Sequence, residues 1–285
     1  MSDVVFLYDG SFHGFLCCIF ESYAKKEIPA AIYSSEDFEP VLFATRTVST
    51  DEQHASRVLR GIIKRSPYAL ELVQRGFLTC MENREFCLYQ LIRKLFRDGP
   101  GFLNNLTDPT LYPVLKAVRF LSSEAEKYRG FVRFSDLSGV LGAEIEPKNH
   151  VLPILRGHFC SRYQNEKFFI YDRTHEEILL YADGKAIIAP LEHFEMAQPS
   201  EGERAYRILW KRFYDTIAIQ ERVSSKRRMR QMPKRYWHML TELQPQTPVK
   251  DSNSPAAPPV PGAPDGKPAP AKHSESLPSA PVSTP

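Results

Sequence analysis

The residues best suited to act on another molecule lie between Arg222 and Trp237. Arg222, Lys226, Arg227, Arg228, Arg230, Lys234 and Arg235 occur there with no acidic residue among them, and Tyr236 and Trp237 close the run. Cationic side chains neutralise phosphates and release condensed counterions, while a Tyr-Trp pair offers faces on which an unstacked base can lie. The segment is therefore a candidate nucleic-acid interface, with Arg222, Arg227, Arg228, Arg230, Lys234, Arg235, Tyr236 and Trp237 as contact residues. The structural alternative is a solvated basic helix end whose aromatic pair anchors the terminal segment onto the core. Pro233 removes an amide hydrogen and restricts Met232, so a helix running through the segment must break there and a turn present Lys234 and Arg235.

A second set of residues is acidic. Glu144 and Glu146, two apart on an expected strand, point to one face, with Lys148 just beyond and Asp136 on the strand before. Carboxylates beside a lysine can hold magnesium and orient water on a phosphodiester, although the same pair suits an ordinary exposed strand ended by Pro147. Asp9 closes a buried strand, where sites of α/β proteins often lie, but Asp9-Gly10 is also a common turn. Asp172-Arg173 and His158 read as buried or paired polar groups. Asp9, Glu144, Glu146 and Asp172 are thus the catalytic candidates of an alternative, enzymatic reading. No serine-nucleophile elbow or phosphate-cradling glycine loop is present. The five cysteines, Cys17, Cys18, Cys80, Cys87 and Cys160, follow neither zinc nor iron–sulfur spacing, so no metal and no cofactor is expected.

These residues need elements to hold them. An apolar strand, Val4 to Tyr8, leads through Asp9-Gly10 to Ser11, a helix cap followed by Phe12, Phe15, Leu16, Ile19, Phe20 and Tyr23 at helical spacing. A capping box at Ser49 and Glu52 opens a second helix with a stripe of Ala55, Val58, Leu59, Ile62 and Ile63 and with Arg57, Arg60 and Lys64 opposite. Helical patterns cover Asn83 to Arg97 and Leu111 to Arg129, and Gly130 supplies a stop. Strand patterns then run from Phe131 to Leu137 and Val140 to Glu146, joined by Ser138-Gly139. A helix from Asn149 to Tyr163 precedes strands at Lys167 to Tyr171, Glu177 to Tyr181 and Lys185 to Ala189, the last two joined by a hairpin at Asp183-Gly184. A final helix, capped by Ser200 with Glu203, is expected to bury Tyr206, Leu209, Trp210, Phe213 and Ile217. The fold class is α+β, largely helical with a small antiparallel or mixed sheet.

Residues 1–243 form the expected globular domain, divisible into a helical half, 1–129, and an α+β half, 130–243. From Gln244 Pro, Ala and Ser dominate, and residues 244–285 are expected to form a disordered tail that buries too little apolar surface to offset its ordering entropy. The formal net charge is only +3, so any basic site must be local. The first residues lack the positive flank of a secretory signal and no apolar run approaches membrane-spanning length, which sets a cytoplasmic expectation with no membrane partner.

Several motifs recur together in order. Tyr8-Asp9-Gly10-Ser11-Phe12 with Gly14-Phe15-Leu16, Glu124-Ala125-Glu126, Gly130-Phe131-Val132-Arg133-Phe134, Glu146-Pro147, Val151-Leu152-Pro153, His158-Phe159 with Arg162, Tyr171-Asp172-Arg173 and Met232-Pro233-Lys234-Arg235-Tyr236-Trp237 resemble the bacterial domain-of-unknown-function 4130 family over nearly the whole body of the chain. Members of that family are described as DNA metabolism or repair proteins encoded beside a radical SAM protein, and the domain also occurs fused to a uracil-DNA glycosylase-like domain. The resemblance implies a stand-alone DNA repair accessory that binds DNA and acts with a radical SAM partner. It equally admits an interaction platform for that partner in which the basic segment is structural. The chain departs from the family pattern at Val223-Ser224-Ser225, where Asn-Pro often follows the arginine, and at His238, where lysine is common.

Overall fold

After β1 (Val4–Tyr8), Gly10 with a φ of +77° turns the chain into the cap of α1 (Phe12–Lys25), where Ser11 Oγ accepts the Gly14 N–H at 2.9 Å. Phe15, Leu16 and Ile19 of α1 are fully buried, as their helical spacing requires. β2 (Ala31–Ser34) and β3 (Ala44–Thr47) flank β1, both parallel to it, in the order β2-β1-β3. This sheet has no counterpart in the sequence pattern, from which the first half is expected to be mostly helical. Each added strand has only four residues, and β3, with sequence ATRT, lacks the apolar alternation that marks a strand. The computed structural model describes residues 4–36, 42–217 and 224–243. All of them lie in one unit, Met1–Gln244, while Arg222 and the proline-rich tail fall outside the described residues.

α2 (Glu52–Arg65) is capped by Asp51 rather than by Ser49, its carboxylate accepting the His54 N–H at 2.8 Å. α3 (Pro67–Phe77) is an addition to the expected elements. Its signal is Ser66-Pro67, a cap followed by proline at the first helical position, with Ser66 Oγ accepting from Ala69 N. α4 (Arg84–Asp98) follows its expected bounds closely. α5 (Leu111–Phe131) passes through Gly130, which is not in the left-handed conformation and so does not stop it. Asp108 holds the start of α5, accepting the N–H groups of Thr110 and Leu111.

The second sheet has the order β4-β5-β6-β7-β8. β4 is reduced to Ser135–Asp136, β5 spans Leu141–Ile145, β6 Phe168–Asp172, β7 Glu177–Ala182 and β8 Lys185–Pro190. β5 and β6 are parallel and joined through α6 (Leu152–Arg162), while the other neighbours are antiparallel, so the sheet is mixed. Ser138-Gly139 and Asp183-Gly184 form the expected turns, all four residues at positive φ.

Two hydrophobic clusters result. The first gathers Phe6, Phe15, Ile62, Val73, Leu88 and Ile92; the second gathers Ile145, Leu152, Leu155, Phe168, Ile170 and Tyr236. α5 serves both, giving Leu111 and Val114 to the first and Leu121, Ala125 and Tyr128 to the second. Burial of each such side chain is worth roughly 1.5–3 kcal/mol. α7 (Glu201–Ile217) opens as expected, Ser200 Oγ accepting the Glu203 N–H at 3.1 Å, but its apolar stripe is not buried. Tyr206, Leu209, Trp210, Phe213 and Ile217 are 44–74% exposed. Helical spacing identifies which face is apolar and is silent on whether another layer covers it. Here Trp210 and Lys211 bond to the short 3-10 turn Thr241–Leu243, through Glu242.

Candidate nucleic-acid interface and its anchor

Within the basic segment, α8 (Ser225–Gln231) is capped by Ser224, whose Oγ faces the Arg227 N–H at 3.4 Å. Lys226, Arg227 and Arg230 are exposed and Arg228 is half-buried. Met232 and Pro233 end the helix as their types require, and a 3-10 turn, Lys234–Met239, follows. Lys234 is exposed. Among the described residues none of Lys226, Arg227, Arg228, Arg230 and Lys234 has a carboxylate within 4.0 Å.

The rest of the segment turns inward. Arg235 Nη2 lies 2.8 Å from Oε1 of Glu124, a residue only 1% exposed. Its guanidinium sits 4.6 Å over the Tyr236 ring and donates to the Tyr236 hydroxyl. Glu124 also accepts the N–H groups of Lys148 at 3.2 Å and Asn149 at 3.0 Å, and the Asn149 side-chain amide. Asn149, itself fully buried, passes the network on by accepting the Cys80 N–H at 2.9 Å. Tyr236 is wholly buried, edge-on to Tyr128 at 5.2 Å, and burial pushes both phenols above their ordinary range. With no ring face at the surface, Tyr236 leaves the set of stacking residues. Arg235 is the counter-charge of a buried carboxylate before it is anything else. Trp237 is half-buried, and its Nε1–H donates to the Met232 carbonyl at 2.9 Å, closing the turn around Pro233.

The acidic candidates do not converge. Glu144 and Glu146 share a face, as their spacing demands, but each meets Arg173 Nη1 at 3.5 Å. Asp172 pairs in register with Ile145, so it points to the opposite, inner face of the sheet. Fully buried, it accepts the N–H groups of Thr174 and His175 and lies 2.7 Å from His175 Nδ1. The His175 ring packs on His150 with centroids 3.7 Å apart, and His150 Nδ1 is 3.6 Å from Glu177. Asp136 accepts the Gly139 N–H within its turn. Asp9 directly follows β1 of the other sheet. There Thr50 Oγ1–H, Ser11 Oγ–H and Ser11 N–H donate to its carboxylate at 2.7, 2.7 and 3.0 Å. Burial works to raise this carboxyl, but those three hydrogen bonds outweigh it and hold it below the usual range. Among the described residues no three His, Cys, Asp or Glu side chains are arranged to hold a metal ion.

In the sequence neither Arg129 nor Arg162 stands out as a site residue, and His158 is expected to be a buried or paired polar group. The structure brings the three together at a cleft between α5 and α6. On α6 the signal is a helical face, Gly157, His158, Ser161 and Arg162, without a large aliphatic residue. The partner from α5 comes from a distant stretch of sequence, and no local pattern reveals it.

These features define an α+β protein with a mixed sheet, a parallel accessory sheet and a basic C-terminal segment pinned to its core by the pairing of Arg235 with a buried carboxylate. The chain belongs to the DUF4130 family, a domain of unknown function, which it matches over residues 82–242. That span runs from the start of α4 to the last 3-10 turn. It contains every motif quoted for the resemblance except Tyr8 to Leu16, which lies outside the match. No curated protein and no solved structure matches the chain. Among the described residues no helix is long and apolar enough to cross a membrane.

Proposed function

We propose that this protein is a nucleic-acid-binding accessory of DNA repair that docks on phosphates through α8 and Lys234 and works with a radical SAM partner in the cytoplasm. The observation that supports docking is the set of five cations from Lys226 to Lys234 that face no carboxylate among the described residues, since unneutralised cations attract a polyanion most strongly. The repair context and the partner rest on the family resemblance. Arg222 remains a proposed contact outside the described residues, and Trp237, half-exposed, is the one aromatic residue of the pair able to meet a base.

The test is fluorescence anisotropy of the full chain with labelled single-stranded and duplex DNA across a salt series. Replacing Arg227 and Arg230 by alanine should lower the slope of log affinity against log salt by about 2, near one unit per lost phosphate contact. Lack of affinity at low salt, or an unchanged slope in the folded variant, sinks the reading. Co-purification with the radical SAM protein without any DNA affinity would favour the interaction platform instead.

One arrangement favours the enzymatic alternative. A buried carboxylate holding a histidine by Nδ1 leaves Nε2 oriented for proton transfer, and Asp172 and His175 have that relation. Turnover of a nucleic-acid substrate that disappears in His175→Ala, with the fold intact, would establish it. No turnover in the wild-type protein, with or without magnesium, rejects it.

A further inference from the structure

A cleft of about 500 Å³ opens between α5 and α6, lined by Arg129 from the first helix and by Gly157, His158, Ser161 and Arg162 from the second. We propose that it is a phosphate-binding site shaped for a phosphomonoester group, separate from the basic helix α8. Residues 157, 158, 161 and 162 share one face of α6, and a Cβ added at Gly157 would meet nothing within 4 Å, so the floor of the cleft is open.

Two guanidinium groups, an imidazole and a hydroxyl line this space, and among the described residues no carboxylate does. Arg129 donates through Nη1 to Glu126 on its own helix. Its Nε is nevertheless the only buried side-chain nitrogen or oxygen among the described residues without a hydrogen-bond partner. A buried N–H of that kind is costly unless something accepts from it. Arg162 lies 6.0 Å over the Tyr163 ring, and His158 packs edge-on against Phe159 at 5.0 Å, which orients both side chains.

Position within α6 sharpens the chemistry. The lining residues occupy its C-terminal half, where the helix dipole repels an anion, so attraction must come from the side chains alone. Planar guanidinium donors match the tetrahedral oxygens of phosphate, and charge-assisted bonds to them are the strongest available here. Four donor side chains approaching from two helices can serve all three terminal oxygens of a phosphomonoester, whereas an internal phosphodiester offers two. A nucleic-acid 5′ end or a small phosphorylated molecule could carry the group. Only the first of these sources rests on the proposed DNA-binding function.

The test titrates inorganic phosphate into the full chain while following the His158 imidazole by NMR in histidine-labelled protein, for the wild type and for Arg162→Gln and Arg129→Gln. Arg162 is exposed, so its variant should fold normally. The expected result is a saturable His158 response whose midpoint rises about tenfold or more in Arg162→Gln, each tenfold being about 1.4 kcal/mol. A parallel arm compares 5′-phosphorylated with 5′-hydroxyl oligonucleotides. Tighter binding of the phosphorylated strand, lost in Arg162→Gln, identifies a nucleic-acid end. A phosphate response without that preference supports the site and assigns it to a small phosphorylated ligand. No saturable response to phosphate, a response unchanged in Arg162→Gln, or an equal response to acetate overturns the proposal. Loss of DNA affinity on replacing Arg227 and Arg230 must leave the phosphate titration unchanged. The two sites can therefore fail separately.

Discussion

Arg235→Ala separates a residue that anchors the fold from one that contacts a ligand. Among the described residues Arg235 supplies the only cation to a carboxylate that is buried completely, 2.8 Å away, and its own side chain is 33% exposed. Breaking a fully buried pair by removing one partner costs about 3–5 kcal/mol, because a charge is left without compensation. Two features reduce that figure here. Glu124 keeps three N–H donors, from Lys148 and Asn149, and solvent reaches the exposed third of Arg235. The expected cost is about 2–3 kcal/mol, which for a domain of this size lowers Tm by roughly 6–9 °C. Lys234→Ala, one residue earlier and exposed, should stay within about 0.5 kcal/mol of the wild type. Thermal unfolding of the two variants measures the contrast. Glu124→Gln removes the charge but turns an NH2 toward N–H groups that the carboxylate accepts, so the readout is the double-mutant cycle with Arg235→Ala, which should give a coupling of at least about 1 kcal/mol. Equal Tm values for Arg235→Ala and Lys234→Ala, with equal losses of DNA affinity, would refute the anchor and return Arg235 to the surface.

Other parts of the molecule give sharp expectations. A Cβ at Gly14 would lie 2.2 Å from Asp9 Oδ1 and 2.8 Å from Thr50 Oγ1, so Gly14→Ala should destabilise by about 1–3 kcal/mol and be partly rescued by Asp9→Gly in chemical denaturation. Burial alone would raise the Glu242 carboxyl, but its own backbone N–H, Trp210 Nε1–H and Arg133 together hold it below its ordinary value. A depressed folded-state value means the stabilisation is present above the unfolded pKa and is lost as pH falls through the folded one; Glu242→Gln should therefore flatten the acid limb of the Tm profile below about pH 4.5. Leu209→Ser on the uncovered face of α7 should change Tm little while reducing retention on a hydrophobic column; a large fall in Tm would show that the face is covered.

Much of the fold is legible because local chemistry dictates it. Ser11 and Ser200 cap their helices, Ser138-Gly139 and Asp183-Gly184 turn at positive φ, and Pro233 breaks the basic segment. Each depends on a few adjacent residues whose steric and hydrogen-bonding limits hold in any context. The pairing of four-residue strands across β1 depends on partners distant in sequence, and the ATRT of β3 carries no periodic signal, so the parallel sheet emerges only in three dimensions.

The site divides along the same line. Sequence alone determines that cations gather between Arg222 and Arg235 and that two aromatic residues follow, because composition needs no partner. Which of these residues face solvent is a tertiary matter, decided by Glu124 from the middle of α5. Burying that carboxylate requires a cation close by, so Arg235 is drawn inward and Tyr236 goes with it against Tyr128, leaving α8 and Lys234 outside. Likewise the pleat sends Asp172 away from Glu144 and Glu146, and only the packing of α6 on α5 brings Arg129 to His158 and Arg162. Spacing can assign a side chain to a face; which neighbour it meets there is decided when distant elements pack.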